Sequence, residues 1–299
     1  MELHQLRCFL AVAEHLNFGR AAEALHMSQP ALSTQVLKLE AGLGVKLFER
    51  SHPKTTLTYA GAIYRQEAQE LLAMTNRAVE QARLAAEGKI GRLRVGFIST
   101  AAAYVIPQLV AAFRKECPGV ELELSHHLTA EQVTLLTNDM LDIGFLRVPI
   151  LSPGPLRTIL VHKEPFKLFL PAAHPLASRG NLALEHLDGV AFVTYAGRNA
   201  PGFAAVLSKI MQDAGIQPSQ THEASDMYTL ISLVSAGVGV AIAPASLVNY
   251  RLPDVVVRDI QGVRPSEIAL AYRAGIEHPV ALAFMRMAVS MYSGERIEF

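Results

Sequence analysis

The N-terminal part of the chain repeats apolar positions with the period of an α-helix. A first helical face is formed by residues at spacings of three, four and seven, namely Leu6, Phe9, Leu10 and Ala13. Asn17 is placed to cap a second helix, in which the small residues Ala21 and Ala22 precede Leu25. Small residues let another helix approach closely, so the pattern predicts two helices that pack against each other.

A third helix is predicted after a tight turn at His26-Met27. Ser28 can cap this helix, and Pro30 is tolerated in its first turn. Its buried stripe consists of Leu32, Val36, Leu39 and Leu43. Its polar front near the start consists of Gln29, Pro30, Ser33, Thr34 and Lys38. An apolar back with a short polar front fits the major groove of DNA, where Gln can read adenine and the helix N-terminus favours phosphate.

A short hairpin is predicted to complete a winged helix-turn-helix over residues 1–58. Its tip, Ser51-His52-Pro53-Lys54, would be the wing beside the DNA backbone, where Arg7, Arg50 and Lys54 would attract phosphates. The residues expected to contact DNA are therefore Ser28, Gln29, Pro30, Ser33, Thr34, Lys38, Arg50 and Lys54.

A long helical pattern covers residues 59–87. Residues recurring every seven positions are Tyr64, Leu71, Ala78 and Ala85, with Ala68, Thr75 and Ala82 at the intervening positions. This spacing is typical of a coiled-coil seam built from small side chains. We therefore predict a linker and dimerisation helix over residues 59–90; the alternative is a helix packed on its own domain.

From Arg92 onward the pattern changes to alternating strands and helices. The first strands are expected at residues 93–98, 120–125 and 141–146, with helices at 101–115, interrupted by Pro107, and at 129–138. This rhythm indicates an open parallel sheet. A second unit follows, with an extended segment at 160–170, strands at 190–195, 238–244, 255–260 and 268–272, and helices at 202–214, 226–236 and 279–291. The predicted domain, residues 91–299, has subdomain I at about 91–161 plus 265–299 and subdomain II at about 162–264.

Ligands of open α/β sheets lie beyond the carboxyl ends of the strands. Ser99 and Thr100 follow the first of these strands, and Arg147 closes the third. Thr129 follows the second strand, and Thr129-x-x-Gln132 has the form of a capping box. Hydroxyls, free backbone N–H groups and a cation at one edge of a sheet predict a site for a carboxylate.

Charge and cysteine content set limits on these interpretations. The chain has 27 Lys and Arg against 27 Asp and Glu, so it carries no basic coat for nucleic acid, and any DNA affinity must come from groove-facing positions and helix termini. Cys8 and Cys117 are interpreted as small, reduced hydrophobic residues, with a redox pair as the alternative.

The spacing of His, Cys and carboxylates predicts neither a metal site nor a bound cofactor. Without a signal-like segment or an 18-residue apolar run, we expect a cytoplasmic protein that does not contact membranes.

Residues 21–61 resemble the DNA-binding domain of the LysR-type transcriptional regulators. The shared pattern is AAxxLxxSQPALSxQVxxLExxLGxxLFER followed by Leu57-Thr58-x-x-Gly61. Many members carry Arg or Lys where this chain has Thr34. The resemblance implies an α plus α/β protein with an N-terminal winged helix-turn-helix, a long linker helix and a two-subdomain effector-binding domain of the periplasmic-binding-protein type.

A looser resemblance links the chain to the family's regulators of benzoate, catechol and chlorocatechol degradation. The matching residues are Ser99, Leu128-Thr129, Gly144-Phe145-x-Arg147, His162-Lys163-Glu164 and Pro201-x-Phe203. In that branch the matching Ser, Thr, Pro and Phe positions line the inducer cleft for muconate-like or benzoate-like acids, and Arg147 and Arg157 match basic positions near ligands. The resemblance implies effector contacts by Ser99, Thr100, Thr129, Arg147, Pro201 and Phe203.

The function implied by both resemblances is a DNA-binding transcriptional regulator of aromatic-compound catabolism that responds to a small organic acid, aromatic or dicarboxylic. Activator is the role we expect, and the residues alone leave repression open. The partners of this regulator would be operator DNA, a small anionic inducer, RNA polymerase and further copies of itself in a homodimer or homotetramer. Two alternatives remain from the residues alone: an α/β enzyme acting on small acids with an N-terminal interaction domain, and a solute-binding protein. The alternatives predict no sequence-specific affinity for DNA.

Overall fold

The computed structural model describes residues 2–51, 54–179 and 182–292. Contacts within the chain divide it into two compact units, Met1–Arg83 and Leu84–Phe299. Among the described residues, no helix is both long enough and apolar enough to cross a membrane.

The first unit contains the predicted helices and hairpin. Its elements are α1 (Leu3–His15), α2 (Phe18–Ala24), α3 (Gln29–Leu43), β1 (Phe48–Ser51), β2 (Lys54–Leu57) and α4 (Tyr59–Ala86). The Asn17 side chain accepts hydrogen bonds from the N–H groups of Gly19 (2.9 Å) and Arg20 (3.1 Å), and Ser28 Oγ accepts one from Ala31 (3.4 Å). These contacts confirm both predicted helix caps. The hairpin tip residues His52 and Pro53 lie outside the described residues.

The core of this unit joins the three short helices to the start of α4. Its fully buried apolar side chains include Leu6, Phe9, Val12, Leu32, Val36 and Leu39. The Phe9 ring lies 5.3 Å from Phe48 of β1 and 5.2 Å from Tyr64 of α4, measured between ring centroids. The hairpin and α4 are therefore fixed on the same core as the helix-turn-helix.

A buried carboxylate connects α3 to the hairpin. Glu40 is only 2% exposed, and its Oε1 accepts hydrogen bonds from the N–H groups of Leu47 (2.9 Å) and Phe48 (3.2 Å), while Lys46 Nζ lies 3.1 Å from Oε2. Burial alone would raise the pKa of this carboxyl, but the donors from Leu47, Lys46 and Phe48 outweigh burial and lower it. Glu40 thus holds the start of the wing against the helix that precedes it.

The Leu57-Thr58-x-x-Gly61 pattern positions the start of α4. Thr58 Oγ1 donates to the carbonyl of Lys46 (2.8 Å) and accepts from the N–H of Gly61 (2.9 Å). A Cβ added at Gly61 would lie 2.0 Å from the Leu47 carbonyl oxygen, so only glycine allows this approach of helix and loop.

The second unit contains two subdomains built on separate sheets. Its strands are β3 (Ile90–Phe97), β4 (Gly119–His126), β5 (Ile143–Val148), β6 (Leu156–Glu164), β7 (Phe166–Pro171), β8 (Phe192–Tyr195), β9 (Thr221–Ala224), β10 (Ala241–Pro244), β11 (Val255–Asp259) and β12 (Ser266–Arg273). Its α-helices are α5 (Ser99–Glu116), α6 (Thr129–Thr137), α7 (Pro201–Asp213), α8 (Met227–Ser235) and α9 (Pro279–Tyr292). Short 3₁₀ helices cover Pro175–Ser178, Leu184–Leu187 and Ala245–Tyr250.

The sheet of subdomain I has the strand order β4-β3-β5-β12-β6. The strands β3, β4 and β5 are parallel, as predicted, but β12 runs antiparallel to both β5 and β6. The parallel arrangement predicted from the first three strands is therefore confirmed, and the antiparallel strand β12 was not predicted. Strand β12 lies between β5 and β6, which both come earlier in the sequence. The order of strands and helices along the sequence does not reveal this insertion.

Subdomain II contains a three-stranded sheet, β10-β7-β11, and a parallel pair, β8-β9. The predicted extended segment at 160–170 is divided into β6, which ends at Glu164 in the first sheet, and β7, which begins at Phe166 in the second. The first crossover between subdomains therefore lies a few residues later than the predicted boundary. The chain returns to the first sheet at Ser266.

Two local predictions in the second unit are wrong. Pro107 does not interrupt α5, which is one continuous helix. Thr129 and Gln132 do not form a capping box at α6: the N-cap is Leu128, whose N–H donates to Glu131 Oε2 (3.1 Å) and whose side chain has no acceptor. The hydroxyl of Thr129 instead accepts a hydrogen bond from Arg147 of β5, which releases it from the capping role.

Candidate functional sites

The start of α3 presents a polar surface to solvent. Gln29, Pro30, Thr34 and Lys38 are exposed, and Ser33 is partly exposed. The opposite face of the helix is buried against α1 and α2. The exposed surface is therefore the one that the sequence predicts for the major groove.

Hydroxyl groups on this surface also make contacts within the helix. Ser28 Oγ caps α3, and Thr34 Oγ1 donates to the Pro30 carbonyl (2.8 Å). Gln29 and Lys38 consequently offer the long polar side chains of this surface. Arg50 and Lys54 lie in the paired strands of the hairpin, but their side chains lie outside the described part of the chain.

The helix α4 has two apolar faces, and the predicted seven-residue seam is shared between them. Tyr64 and Leu72 are partly buried and Ala68 is fully buried in the core of the first unit. Leu71 (40% exposed) and Met74 (61%) face outward. The alternative prediction, that the helix packs on its own domain, therefore holds for the face of α4 that contains Ala68. The face that contains Leu71 is exposed in the single chain.

Four of the predicted effector residues meet at the carboxyl ends of β3, β4 and β5. Ser99 and Thr100 begin α5, Thr129 begins α6 and Arg147 lies near the end of β5. Side chains of subdomain II face them from the other side of the pocket. The full lining consists of Ile98, Ser99, Thr100, His126, Leu128, Thr129, Arg147, Tyr195, Ala200, Phe203 and Met227.

Arg147 lies at the bottom of this pocket and is only 3% exposed. Its guanidinium donates to Thr100 Oγ1 (2.7 Å) and to Ser266 Oγ, and it lies 3.8 Å from Glu164 Oε1. Its Cζ also lies 4.7 Å from the centroid of the Phe203 ring, within the range of a cation–π contact. Burial lowers the pKa of Arg147 to about 10, and Glu164 opposes this shift, so the side chain is still a cation at neutral pH.

Gln132 was not among the predicted site residues, yet it positions two of them. It is fully buried, and its Nε2 donates to the carbonyls of His127 (2.8 Å) and Phe145 (3.2 Å). A Cβ added at Gly144 would lie 2.6 Å from the Gln132 Oε1, so this glycine provides the space for the amide. Gln132 thereby links the loop before Thr129 to the strand that carries Arg147.

The predicted residue Ser99 interacts with two residues that the sequence did not identify, one in the pocket lining and one outside it. Ser99 Oγ lies 2.9 Å from His126 Nε2 and is also hydrogen-bonded to Tyr250. Burial raises the pKa of the Tyr250 hydroxyl, although its hydrogen bond with Ser99 acts in the opposite direction. Burial likewise raises the pKa of Tyr195 to about 12 despite the nearby Arg147, so both tyrosines keep their protons at neutral pH.

The start of α7 closes the pocket from subdomain II. Pro201 is the first residue of this helix, is exposed, and is not part of the described pocket lining, whereas Phe203 is 3% exposed within it. A Cβ added at Gly202 would lie 1.8 Å from the Pro149 carbonyl oxygen, which shows how closely α7 approaches the end of β5.

The pocket that remains has a volume of about 20 Å³, enough for one water molecule. Arg157, a further basic position of the resemblance, is exposed on β6 outside this pocket.

Comparison with known proteins identifies both parts of the chain. Residues 3–62 match the model of the bacterial regulatory helix-turn-helix protein of the lysR family, and residues 86–292 match the LysR substrate binding domain. The chain is 33% identical over 289 residues to the HTH-type transcriptional regulator AlsR of Bacillus subtilis (strain 168), covering 96% of this chain and 95% of AlsR. It is 34% identical over 290 residues to the Hca operon transcriptional activator HcaR of Escherichia coli (strain K12), covering 95% and 96%.

Solved structures give the same assignment. CbnR, a LysR family transcriptional regulator, matches with a TM-score of 0.83 and 31% identity over 96% of this chain and all 100% of CbnR. Full-length CbnR in complex with its target DNA matches with a TM-score of 0.82 and 31% identity over 97% and 99%. These relatives are transcriptional regulators and not enzymes, and regulators of this family bind operator DNA as oligomers. The chain therefore belongs to the LysR family of DNA-binding transcriptional regulators.

Proposed function

We propose that this regulator controls transcription in response to a small organic anion, aromatic or dicarboxylic, that binds between the two subdomains. The functional divisions are the winged helix-turn-helix at 1–58, the linker helix at 59–90 and the effector-binding domain at 91–299. Operator contacts come from the polar front of α3 and from Arg50 and Lys54 of the hairpin. As an activator, the operator-bound homodimer or homotetramer would also contact RNA polymerase.

The observation that supports the anionic effector is the meeting of Ser99, Thr100, Thr129 and Arg147 in one pocket. Hydroxyls and a buried cation stabilise a carboxylate through charge-assisted hydrogen bonds. Phe203 lies against the same guanidinium, so an aromatic or conjugated ligand body would have an apolar surface beside the charge. This combination favours an organic acid over a sugar or a cation.

The small volume of the pocket supports a mechanism for the response. An acid the size of benzoate is far larger than the remaining 20 Å³, so its binding requires the subdomains or their side chains to move apart. A ligand shifts a conformational equilibrium only by binding one arrangement more tightly than another. Occupancy of the pocket would therefore change the angle between the subdomains, and oligomeric contacts would pass this change to the DNA-binding units.

The effector site is tested by the substitution Thr129→Val. Valine keeps the shape of threonine but removes the hydroxyl that accepts from the Arg147 N–H (3.3 Å). We expect the affinity of the full-length protein for benzoate or cis,cis-muconate, measured by calorimetry, to fall by about tenfold to a hundredfold, since a hydrogen bond to a charged group contributes about 1.5–3 kcal/mol. Operator affinity in a gel shift should not change, because the DNA-binding unit is separate.

Thr134→Val is the matched control, because it removes a hydroxyl from the exposed side of the same helix. Equal acid affinities in the wild type and both variants would place the effector elsewhere. Lost operator binding in the Thr129 variant would mean that the substitution damages the fold.

The operator contact is tested by Gln29→Ala. The exposed amide at the start of α3 can pair with an adenine edge, so its loss should cost about 1–3 kcal/mol of affinity for the cognate operator and relax the preference for that base. Gel shifts against the DNA upstream of the gene, with single-base variants, measure both effects. Gln66→Ala removes the same group from the exposed surface of α4 and should leave the affinity unchanged. An unaltered affinity in the Gln29 variant would rule out this contact.

A further inference from the structure

A short segment of subdomain II, residues 199–203, contacts the side of the effector pocket that subdomain I provides. At one end of the segment, the Asn199 carbonyl accepts a hydrogen bond from the Ala130 N–H in the first turn of α6 (3.3 Å). At the other end, Phe203 covers Arg147, with 4.7 Å between the ring centroid and the guanidinium carbon. The segment therefore contacts two groups of subdomain I that favour an anion, a helix N-terminus and a cation.

These contacts use groups that the proposed effector also needs. The N–H groups in the first turn of an α-helix have no acceptor within the helix, so the Ala130 N–H depends on an acceptor from outside α6. In this structure that acceptor is the Asn199 carbonyl, in a position where a carboxylate oxygen could bind instead. The volume that remains beside the segment, about 20 Å³, is too small for an organic acid. The closed arrangement and the effector consequently compete for the same groups.

Gly202 is the residue that allows the segment to come so close. A Cβ built at Gly202 would lie 1.8 Å from the Pro149 carbonyl oxygen and 2.9 Å from its carbonyl carbon, and these backbone atoms cannot rotate away. Gly202 lies in the first turn of α7 and its φ is outside the left-handed region, so its backbone conformation is available to any residue. Alanine favours a helix over glycine by about 1 kcal/mol. The contact with Pro149, and not the backbone conformation, is what requires a glycine here.

From this geometry we infer that residues 199–203 form an autoinhibitory contact, which closes the ligand-free regulator by occupying its anion-binding groups, and that Gly202 makes this closure possible. An effector binds only those molecules in which the segment has moved away, so its apparent dissociation constant is the intrinsic one divided by the fraction of open molecules. A side chain at position 202 would raise that fraction before any effector is present. The inference rests on the proposed anion site and adds the element that opposes effector binding.

Gly202→Ala tests the contact in the full-length protein without a ligand. The added Cβ should separate the segment from subdomain I, so that the Ala130 N–H loses its acceptor. Hydrogen exchange, measured by mass spectrometry in the peptide that covers the first turn of α6, should then be about tenfold faster because local opening costs less. Gly197→Ala is the matched control: the nearest neighbour of its Cβ would be the Ala204 Cβ at 3.7 Å, and its φ also lies outside the left-handed region. This variant should exchange at the wild-type rate.

Calorimetry with benzoate and with cis,cis-muconate tests the competition. Gly202→Ala should bind acid about fivefold to tenfold more tightly than the wild type, because a larger fraction of the molecules is open, and Gly197→Ala should match the wild type. A second variant acts on the segment without adding atoms. Asn199→Ala removes the side-chain amide that donates to the Ser225 carbonyl (2.6 Å) and anchors the segment, so it should tighten acid binding about twofold to threefold and also speed exchange.

The outcomes separate this inference from the proposed function. Wild-type exchange in Gly202→Ala overturns the inference, and so does faster exchange with acid affinity that is unchanged or weaker. If Gly202→Ala does not fold, as judged by circular dichroism, Asn199→Ala decides: faster exchange with tighter binding supports the inference, and wild-type values overturn it. If neither acid binds any of the proteins while Gly202→Ala exchanges faster, the closing contact is supported and the proposed anion site fails.

Discussion

Replacing Leu71 and Ala78 together by glutamate is expected to convert the oligomer into monomers and to lower operator affinity by about a hundredfold or more. Both residues are exposed on α4, one heptad apart. Opposed glutamates on two such helices would repel each other and would have to be desolvated. A monomer holds one half-site without the effective concentration that a linked second site provides, a factor of about 10²–10⁴.

Sedimentation velocity measures the mass, and gel shifts measure the operator affinity. The matched control is the double variant Gln69→Glu and Asn76→Glu, which adds the same charge at the same spacing. Each of these exposed residues is two positions from Leu71 or Ala78, about half a turn around the helix. An unchanged mass in the Leu71 and Ala78 variant would show that the outer face of α4 is not the oligomer interface.

The exposed face of α4 shows what a periodic sequence pattern can and cannot specify. The heptad spacing correctly predicts a long helix with apolar positions. It does not separate Ala68, which is buried in the same unit, from Leu71, which faces outward. That distinction depends on Gly61, where the close approach to the Leu47 carbonyl fixes which side of α4 meets the core. The spacing of apolar residues along the sequence does not show which side of α4 faces the core.

Local signals were sufficient for the helix-turn-helix because its caps and turns are formed by neighbours in sequence. Asn17 caps a helix through N–H groups two and three residues away, and Ser28 does so through Ala31. Glu40 was missed because its role depends on Leu47 and Phe48, which come after the helix has ended. A glutamate at a buried helical position is the signal that could have revealed it.

The effector pocket was predicted in part because strand ends are visible in the sequence. Ser99, Thr100, Thr129 and Arg147 were found from the rule that ligands lie beyond the carboxyl ends of parallel strands. The partners Glu164 and Ser266 could not be found in this way, because the antiparallel insertion of β12 brings Ser266 to Arg147 from 119 residues away. His126 was not among the predicted site residues, and its contact with Ser99 depends on the parallel register of β3 and β4.

Arg147→Met is expected to lower the free energy of unfolding of the second unit by about 3–5 kcal/mol, the usual cost of removing one partner of a buried ion pair. Glu164 is only 5% exposed, and its Oε2 accepts from the Ser246 N–H (2.7 Å). Methionine fills much of the arginine volume but leaves the Glu164 carboxylate buried without a cation. It also removes the donors to Thr100 and Ser266.

Urea unfolding followed by circular dichroism, with hydrogen exchange of the β5 and β12 amides, assigns the loss to this unit. The exposed Arg157→Met on β6 is the control and should change stability by less than about 0.5 kcal/mol.

A second substitution separates loss of charge pairing from loss of packing. Arg147→Met combined with Glu164→Gln removes the uncompensated charge and should recover a large part of the stability, because a neutral amide is far less costly to bury than a carboxylate. The coupling between the two substitutions is the free energy assigned to the pair. Additive effects would show that Arg147 stabilises the unit through Thr100, Ser266 and Phe203 alone. In that case Glu164 would act independently, through its hydrogen bond from the Ser246 N–H.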